Sequence, residues 1–390
     1  MFLPRMVTTL DPGDDRTVSQ ESHGAGYLGP VERLVAHAAA ETRLLATLTP
    51  TNAAEERARL TGDLRAGRAP VPCWTYAPQE HATLRRALEA ADGALDRLAD
   101  APLAGLYRAR ARELCLELAL CGAAGRREVA ALSRDRFPAD DRFAARASAL
   151  CDKWLEEEPR SRPEGDPVPS DDASDPRSLL ALMSAAVGEQ RLPFAVSAQA
   201  SLASLAATGD RVILVARGRP VYPEDARRTV LHEIEGHAKP RACSLASPIS
   251  LVRAGTARGV DDQEGRALLI EKRSGLLGSG RRRQLAARHR SVEAMLHGAS
   301  FADTAMILKE AHGLDAADAV VVAERAFRGS DGTFAGLGRE RVYIEGLLRV
   351  EAHLAERPDD ERILEQGQIA LDAVEGLRRA LAAPLLDGEG

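Results

Sequence analysis

The sequence predicts an α-rich α+β fold in which helices dominate and one small β-sheet is present. Apolar residues recur at helical spacing through most of the 390 residues, and this period is the main sequence signal of amphipathic helices. Only two short segments have the β-branched and apolar composition that is typical of strands. With 45% hydrophobic residues, a chain of this length can bury a large core and form two packed units.

The first part of the chain predicts a mobile segment followed by a helical unit. Residues 1–28 are polar and rich in glycine, which predicts mobility. Residues 29–155 contain two apolar stripes at helical spacing, one through Leu84, Leu88, Ala91, Leu95 and Leu98, the other from Leu103 to Leu120 with Gly122 at its end. Residues 156–178 are rich in Pro, Asp and Ser and predict a linker or surface loop before a second unit, residues 179–390.

Two segments of the second unit predict strands. They are Phe194–Ser197 and Arg211–Val215, and Thr208–Asp210 offers a turn before the second. The residues Val212–Val215 are the candidate for a strand whose free edge binds an extended substrate by β-augmentation. A small structural sheet without substrate contact is the equal alternative.

A helix is predicted directly after these strands. Pro223 suits its first turn, and acidic residues follow where the helix dipole favours them. Val230, Ile234 and Ala238 form one apolar stripe. We expect Pro240 to end the helix, because proline cannot donate a main-chain hydrogen bond.

This helix carries two histidines that flank a carboxylate. Residues 232–237 read His-Glu-Ile-Glu-Gly-His, and zinc sites in hydrolases use neutral imidazoles with a third protein ligand and one open position. In the common motif the histidines are four residues apart. Here they are five apart, which on a regular helix turns the rings about 140° from each other. A one-residue expansion removes this offset, and Gly236 tolerates such distortion. Two ordinary hydrogen-bonded histidines are the alternative.

The third ligand is expected from a second helix downstream. Glu264 lies near the start of a helical stretch, and Gly265 and Ala267 are small enough for a close approach to the histidine helix. Glu271, two turns further on, is the reserve candidate.

These motifs resemble the tyrosine carboxypeptidase family, which includes the microtubule-associated tyrosine carboxypeptidases and bacterial proteins with a Gln-Glu-Gly-Leu-Ala motif. The matching residues are His232-Glu233-x-x-x-His237, Gln263-Glu264-Gly265-x-Ala267, the Arg328-Gly329 step, and the segment from Arg339-Glu340 to Tyr343 and Gly346. The resemblance covers about residues 30 to 385. Three positions depart from the family pattern: Arg266 replaces Leu, Arg339 replaces Lys, and Pro240 replaces Arg.

The resemblance implies a zincin-like catalytic unit and a zinc metallopeptidase that removes a C-terminal, aromatic residue from a peptide or protein. His232, His237 and Glu264 would bind Zn²⁺, and Glu233 would act as general base on the metal-activated water. Arg328 and Arg339 match basic family positions suited to the terminal carboxylate. Tyr343 would donate a hydrogen bond to the oxyanion.

Two other functions fit the same residues. A His-Glu-x-x-Gly-His pattern is also similar to dipeptidyl peptidase III, which suggests an endo- or dipeptidyl-peptidase that processes a precursor peptide. A non-catalytic regulatory protein with a structural zinc ion is the second alternative. Glu233 argues against it, because a structural site needs no general base.

Composition predicts a cytoplasmic protein. Residues 1–15 lack a signal-peptide pattern, and no run of about eighteen apolar residues would span a membrane. The five scattered cysteines suggest neither a disulfide framework nor a thiolate metal cluster. A net charge of −6 gives no footprint for nucleic acid. The basic run of residues 281–290 predicts a solvated helix face, with contact to an acidic substrate or polyanion as the alternative. The sequence does not indicate an oligomeric state.

Overall fold

Helices form most of the chain in the computed structural model, which describes residues 25–95, 101–158, 165–200, 202 and 204–382. The first part of the chain is helical as predicted, with α1 (Ala25–Glu41), α2 (Leu44–Thr47), α3 (Ala53–Arg65), α4 (Ala82–Leu95), α5 (Ala101–Ala123), α6 (Glu128–Arg136) and α7 (Ala144–Glu156). Helix α1 begins within the segment predicted to be mobile, of which residues 1–24 lie outside the described residues. Leu98 of the first predicted stripe also lies outside them.

In the sequence, the strands follow these helices and precede the histidine-bearing helix. They are β1 (Val168–Pro169), β2 (Ala195–Gln199), β3 (Ala206–Thr208), β4 (Val212–Ala216) and β5 (Pro220–Val221), and α8 (Leu179–Glu189) precedes β2. Strands β1 and β5 form a short antiparallel pair. The other three form a mixed sheet in the order β2-β4-β3. Both predicted strand segments are therefore confirmed.

Strand β4, the strand expected to offer a free edge to a substrate, is the central strand of this sheet. Strand β4 pairs in parallel with β2 along its whole length and antiparallel with β3 over Ile213–Val215. Its main-chain groups are occupied on both sides, so the prediction that Val212–Val215 offers a free edge is wrong. The edges of this sheet are β2 and β3, because a central strand has no unpaired side.

The histidine-bearing helix has three parts. It runs through α9 (Pro223–Leu231), a π-helical turn (His232–Ala238) and α10 (Lys239–Ala246). Pro223 occupies the first turn as predicted. Pro240 does not end the helix, contrary to expectation, because it lies at the start of α10, where a missing N–H is tolerated.

The rest of the chain is helical and surrounds this segment. The α-helices are α11 (Ser250–Ala254), α12 (Gly259–Arg273), α13 (Ser279–Leu296), α14 (Phe301–Glu310), α15 (Ala316–Ala326), α16 (Val342–Glu356), α17 (Glu361–Leu364) and α18 (Val374–Ala382). Short 3₁₀ turns occur at Arg339–Arg341, Pro358–Asp360 and Leu371–Ala373.

The π-helical turn lies between two apolar cores. One is formed by α8, the mixed sheet and the histidine-bearing helix, to which Ile234 and Ala238 contribute. The larger one includes Leu268 and Leu269 of α12 with residues of α5, α7, α13 and α16. The larger core thus contains side chains from both sides of the segment 156–178.

The described residues contain no disulfide bond among the five cysteines, all of which are free. Within the same residues, no helix combines the length and the apolar character that crossing a lipid bilayer requires.

Candidate metal centre

The π-helical turn places the two histidine rings side by side. His232 is the first residue of this turn and His237 is the last but one. Their Nε2 atoms lie 3.2 Å apart. A π-turn adds one residue to the helical repeat, so it cancels the angular offset of the five-residue spacing. The expansion predicted from the sequence is confirmed.

Glu264 of α12 completes a three-atom cluster with these nitrogens. Its Oε2 atom lies 3.6 Å from Nε2 of His232 and 3.7 Å from Nε2 of His237. The point equidistant from the three atoms is about 2.0 Å from each, which matches Zn–N and Zn–O bond lengths. Two imidazoles and one carboxylate are also a donor set that zinc accepts in catalytic sites. The residues therefore fit a zinc ion.

The remaining polar atoms of these side chains bind other protein groups. Nδ1 of His232 donates to Glu271 at 2.6 Å, and Nδ1 of His237 donates to Gln263 at 3.1 Å. Oε1 of Glu264 accepts from Arg339 at 3.0 Å. Such partners fix ring orientation and leave Nε2 of each ring facing the other members of the cluster. Glu271, the reserve candidate, thus contacts the outer nitrogen of His232 and is not a member of the cluster.

Electrostatics keep both carboxylates ionised. Burial raises the pKa of Glu271, but the Arg281 guanidinium and the hydrogen bond to His232 outweigh burial and lower it to about 2. Burial also opposes ionisation of Glu264, yet His232, His237 and Arg339 hold its pKa well below the ordinary value. Burial lowers the pKa of His232, whereas hydrogen bonds to Glu264 and Glu271 raise it to about 9. Both carboxylates are therefore anions at neutral pH, and a metal that binds Nε2 of His232 would have to displace the proton that this ring holds in the metal-free protein.

Glu233 lies beside the cluster, on the same π-helical turn. It is buried, and its Oε2 atom accepts a hydrogen bond of 2.8 Å from the hydroxyl of Thr208. Thr208 is the last residue of β3, the edge strand nearest to the turn. Sequence reasoning assigned Thr208 only to a turn, because nothing in its local pattern shows that it contacts Glu233.

Small residues allow the helices of the centre to pack closely. A Cβ atom on Gly236 would lie 2.6 Å from Cβ of Ala267, and one on Gly265 would lie 2.2 Å from the main chain of Gly346. Ala267 therefore faces the histidine-bearing helix as predicted, whereas Gly265 faces α16. Gly236 is needed for this contact with α12, and its φ is not positive, so steric room explains it better than backbone freedom.

A cluster rich in arginine adjoins the candidate metal centre, and Arg339 connects the two. We call it the arginine-rich cluster; its members are Arg288, Arg325, Arg328 and Arg339. The second Nη atom of Arg339 lies 3.4 Å from the hydroxyl of Tyr343. The guanidinium groups of Arg339 and Arg288 lie 5.7 and 5.8 Å from the Tyr343 ring centroid, within cation–π range. Arg339 thus holds the candidate ligand Glu264, and the substrate role expected for it stays a prediction.

Among the described residues, the guanidinium group of Arg328 has no ion pair, and that of Arg288 has only a long one. Glu340 is fully buried and pairs with Arg325 at 2.9 Å, but its nearest approach to Arg288 is 3.8 Å. The Arg328 side chain is also buried, and no hydrogen bond or ion pair to it occurs within the described part of the chain. Burial lowers the pKa of Arg288 to about 9 and that of Arg328 to about 10. Both groups remain charged at neutral pH.

The basic run of residues 281–290 is not a solvated face. Arg281 contacts Glu271 at 3.3 Å, Arg282 pairs with Glu157, and Arg290 pairs with Asp152. The prediction of a solvated face is wrong, because these arginines bridge α13 to other elements of the fold. Sequence reasoning did not find the contacts of Arg281 and Arg288, which depend on residues far away in the chain.

Two imidazoles and a carboxylate within ligand distance, with a second carboxylate beside them, form an arrangement typical of metallopeptidases. The model of one protein family, described as microtubule-associated tyrosine carboxypeptidase, matches residues 64–388. Because the match covers most of the chain, the protein belongs to this family of carboxypeptidase-type hydrolases. The resemblance predicted from the motifs is confirmed. The comparison with curated proteins finds no match.

Proposed function

We propose that the protein is a zinc-dependent carboxypeptidase that removes the last residue of a peptide or protein. The observation that carries this proposal is the triangle of 3.2, 3.6 and 3.7 Å formed by the ligand atoms of His232, His237 and Glu264. The family match independently supports carboxypeptidase activity. A zinc ion bound there would supply Lewis acidity to the attacking water and the scissile carbonyl.

Glu233 provides the acid–base chemistry in this proposal. Its carboxylate accepts the proton of the attacking water and passes it to the leaving amine. The hydroxyl of Thr208 holds Oε2 of Glu233, which leaves Oε1 as the proton acceptor. Such a hydrogen bond fixes the carboxylate in one orientation, as general-base catalysis requires.

The arginine-rich cluster provides the site for the terminal carboxylate. Arg328 is a buried cation without an ion pair among the described residues, whereas Arg288 is partly buried and has only a long pair of 3.8 Å with Glu340. Burying a charge without a close partner is costly unless a ligand of opposite charge binds. Arg339 connects this cluster to Glu264. A substrate would therefore place its carboxylate against Arg328 and Arg288 and its last peptide bond near Glu233, with Tyr343 donating to the oxyanion.

Tyrosine is the first C-terminal residue to test, since the family description names it. The same description supports a protein substrate. The five free cysteines support a reducing compartment such as the cytoplasm.

Mass spectrometry of peptides incubated with the zinc-loaded protein tests this proposal. Peptides of one sequence that end in Tyr, Phe, Leu or Glu should lose a single residue, and a C-terminal amide should prevent the loss. Internal cleavage, or release of dipeptides, would instead support the endo- or dipeptidyl-peptidase alternative.

Glu233→Gln and Glu235→Gln form a matched pair for the catalytic role. Glu233→Gln should abolish turnover while zinc still binds. Glu235 lies two residues further on, contacts Lys239 at 2.7 Å and is partly exposed, so Glu235→Gln should retain activity. Zinc binding without hydrolysis of any peptide by the wild-type protein would favour the non-catalytic zinc-binding alternative.

A further inference from the structure

The main-chain carbonyl of Glu235 lacks the donors that a helix normally provides. In an α-helix it would accept from residue 239, and in a π-helix from residue 240. The N–H of Lys239 bonds to the carbonyl of Ile234 instead. Residue 240 is Pro, which has no N–H. The helix thus offers this partly buried carbonyl no main-chain donor, and a side-chain donor can take its place.

Arg266 supplies that donor from α12. Its Nη1 atom donates to the Glu235 carbonyl at 3.2 Å, and its Nη2 atom donates to Glu365 at 2.9 Å. The Arg266 side chain is 6% exposed, whereas the Glu365 side chain is 51% exposed. The buried guanidinium of Arg266 thus connects the π-helical turn to a half-exposed carboxylate.

We infer that Arg266 is a positioning residue that replaces the main-chain donor missing at Pro240 and so maintains the π-helical turn. The π-helical turn sets the distance between His232 and His237. Arg266 binds this turn at Glu235, which lies between the two histidines.

This coupling predicts that the effect of replacing Arg266 depends on whether residue 240 is proline. Without Arg266, the Glu235 carbonyl loses its donor and the turn can relax toward regular helix, which separates the two Nε2 atoms. With alanine at position 240, an N–H is available five residues after Glu235, the spacing of a π-helical bond. The arginine is then no longer needed for this carbonyl.

A double-mutant cycle tests the coupling. The variants are Arg266→Leu, Pro240→Ala and the double variant, with Glu365→Gln as the matched control that removes only the second partner of Arg266. One readout is the zinc dissociation constant from chelator competition. The other is hydrogen exchange of the amides of residues 235–241 in the metal-free protein.

Arg266→Leu should raise the zinc dissociation constant about tenfold, the effect of losing support for a metal ligand, and should accelerate exchange in the turn. In the Pro240→Ala background the same replacement should change the constant less than about threefold, and Glu365→Gln should behave like wild type. Equal effects of Arg266→Leu in both backgrounds would overturn the inference. If Arg266→Leu does not fold, recovery of folding in the double variant supports the coupling, and failure of both contradicts it.

The zinc readout rests on the proposed function, but the exchange readout does not. If no variant binds zinc, the proposed function fails, and exchange in the metal-free protein still decides whether Arg266 and Pro240 are coupled. If zinc binds equally to all variants and exchange is unchanged, only the coupling fails.

Discussion

Each of the three candidate ligands uses one polar atom for the cluster and another for a protein partner. Glu271 is the most buried of these partners, with a side-chain exposure of 0%, and it joins His232 to Arg281. Its carboxylate fixes the ring of His232 so that Nε2 faces Glu264. The precision of the centre therefore depends on residues outside the motif.

Glu271→Gln tests this dependence. The amide retains the shape of the side chain but loses the charge that orients His232, so zinc affinity should fall by about 10–100-fold. Chelator competition measures it. Glu351→Gln is the control, because Glu351 pairs with Lys272 at the surface, and it should leave affinity unchanged. Equal zinc affinity of Glu271→Gln and wild type would show that Glu271 does not support the centre.

Arg328→Gln tests the carboxylate site. KM for peptides with a free C-terminus should rise at least about tenfold, because a charge-assisted hydrogen bond contributes roughly 1.5–3 kcal/mol. Steady-state kinetics on one peptide measure the change. Arg282→Gln, which alters a partly exposed pair with Glu157 outside the arginine-rich cluster, should leave KM unchanged. An unchanged KM in Arg328→Gln would exclude it from substrate binding.

At the residue scale, the sequence predicts what a local motif contains and misses what only the fold brings together. His232, Glu233 and His237 lie within six residues, and Glu264 follows from a second motif. Thr208 and Arg288 have no such pattern, because their partners are distant in sequence.

At the scale of elements, the close contact between the π-helical turn and α12 defines the centre. Gly236→Ala should destabilise the protein by about 1–3 kcal/mol, because the added methyl overlaps Cβ of Ala267. Denaturant unfolding measures the loss. Adding Ala267→Gly restores the space and should recover most of the stability. If the double variant is no more stable than Gly236→Ala, the steric explanation is incorrect.

The sequence predicts where these elements lie better than where a helix ends or how a strand pairs. Both strand segments, the start of the helix at Pro223 and the one-residue expansion are confirmed. The end at Pro240 and the free edge of β4 are wrong for related reasons. A proline early in a helical segment is tolerated, and the pairing partners of a strand depend on topology, which its own composition does not contain.

At the scale of the whole molecule, a buried ionic network joins the N-terminal helices to α12. Arg136 of α6 lies 3.0 Å from Glu113, 2.8 Å from Glu117 and 3.1 Å from Asp261. Asp261 precedes Glu264 by three residues on α12. Helix α12 is thus fixed to α5 and α6 by a buried network of charges, which water screens less than surface pairs.

Arg136→Met should destabilise the protein by roughly 3–5 kcal/mol, because three carboxylates lose their common cation. Equilibrium unfolding in denaturant measures this loss. Arg379→Met removes a pair whose side chains are 66% and 51% exposed, and should change stability by less than about 0.5 kcal/mol. Similar values for both variants would show that the network does not stabilise the fold.

Anomalous diffraction at the zinc edge, from crystals of the zinc-loaded protein, tests the central claim most directly. We predict one strong peak at about 2.0–2.2 Å from Nε2 of His232, Nε2 of His237 and an oxygen of Glu264. A strong peak elsewhere, or no peak at this cluster, would contradict the proposal that these three residues hold zinc.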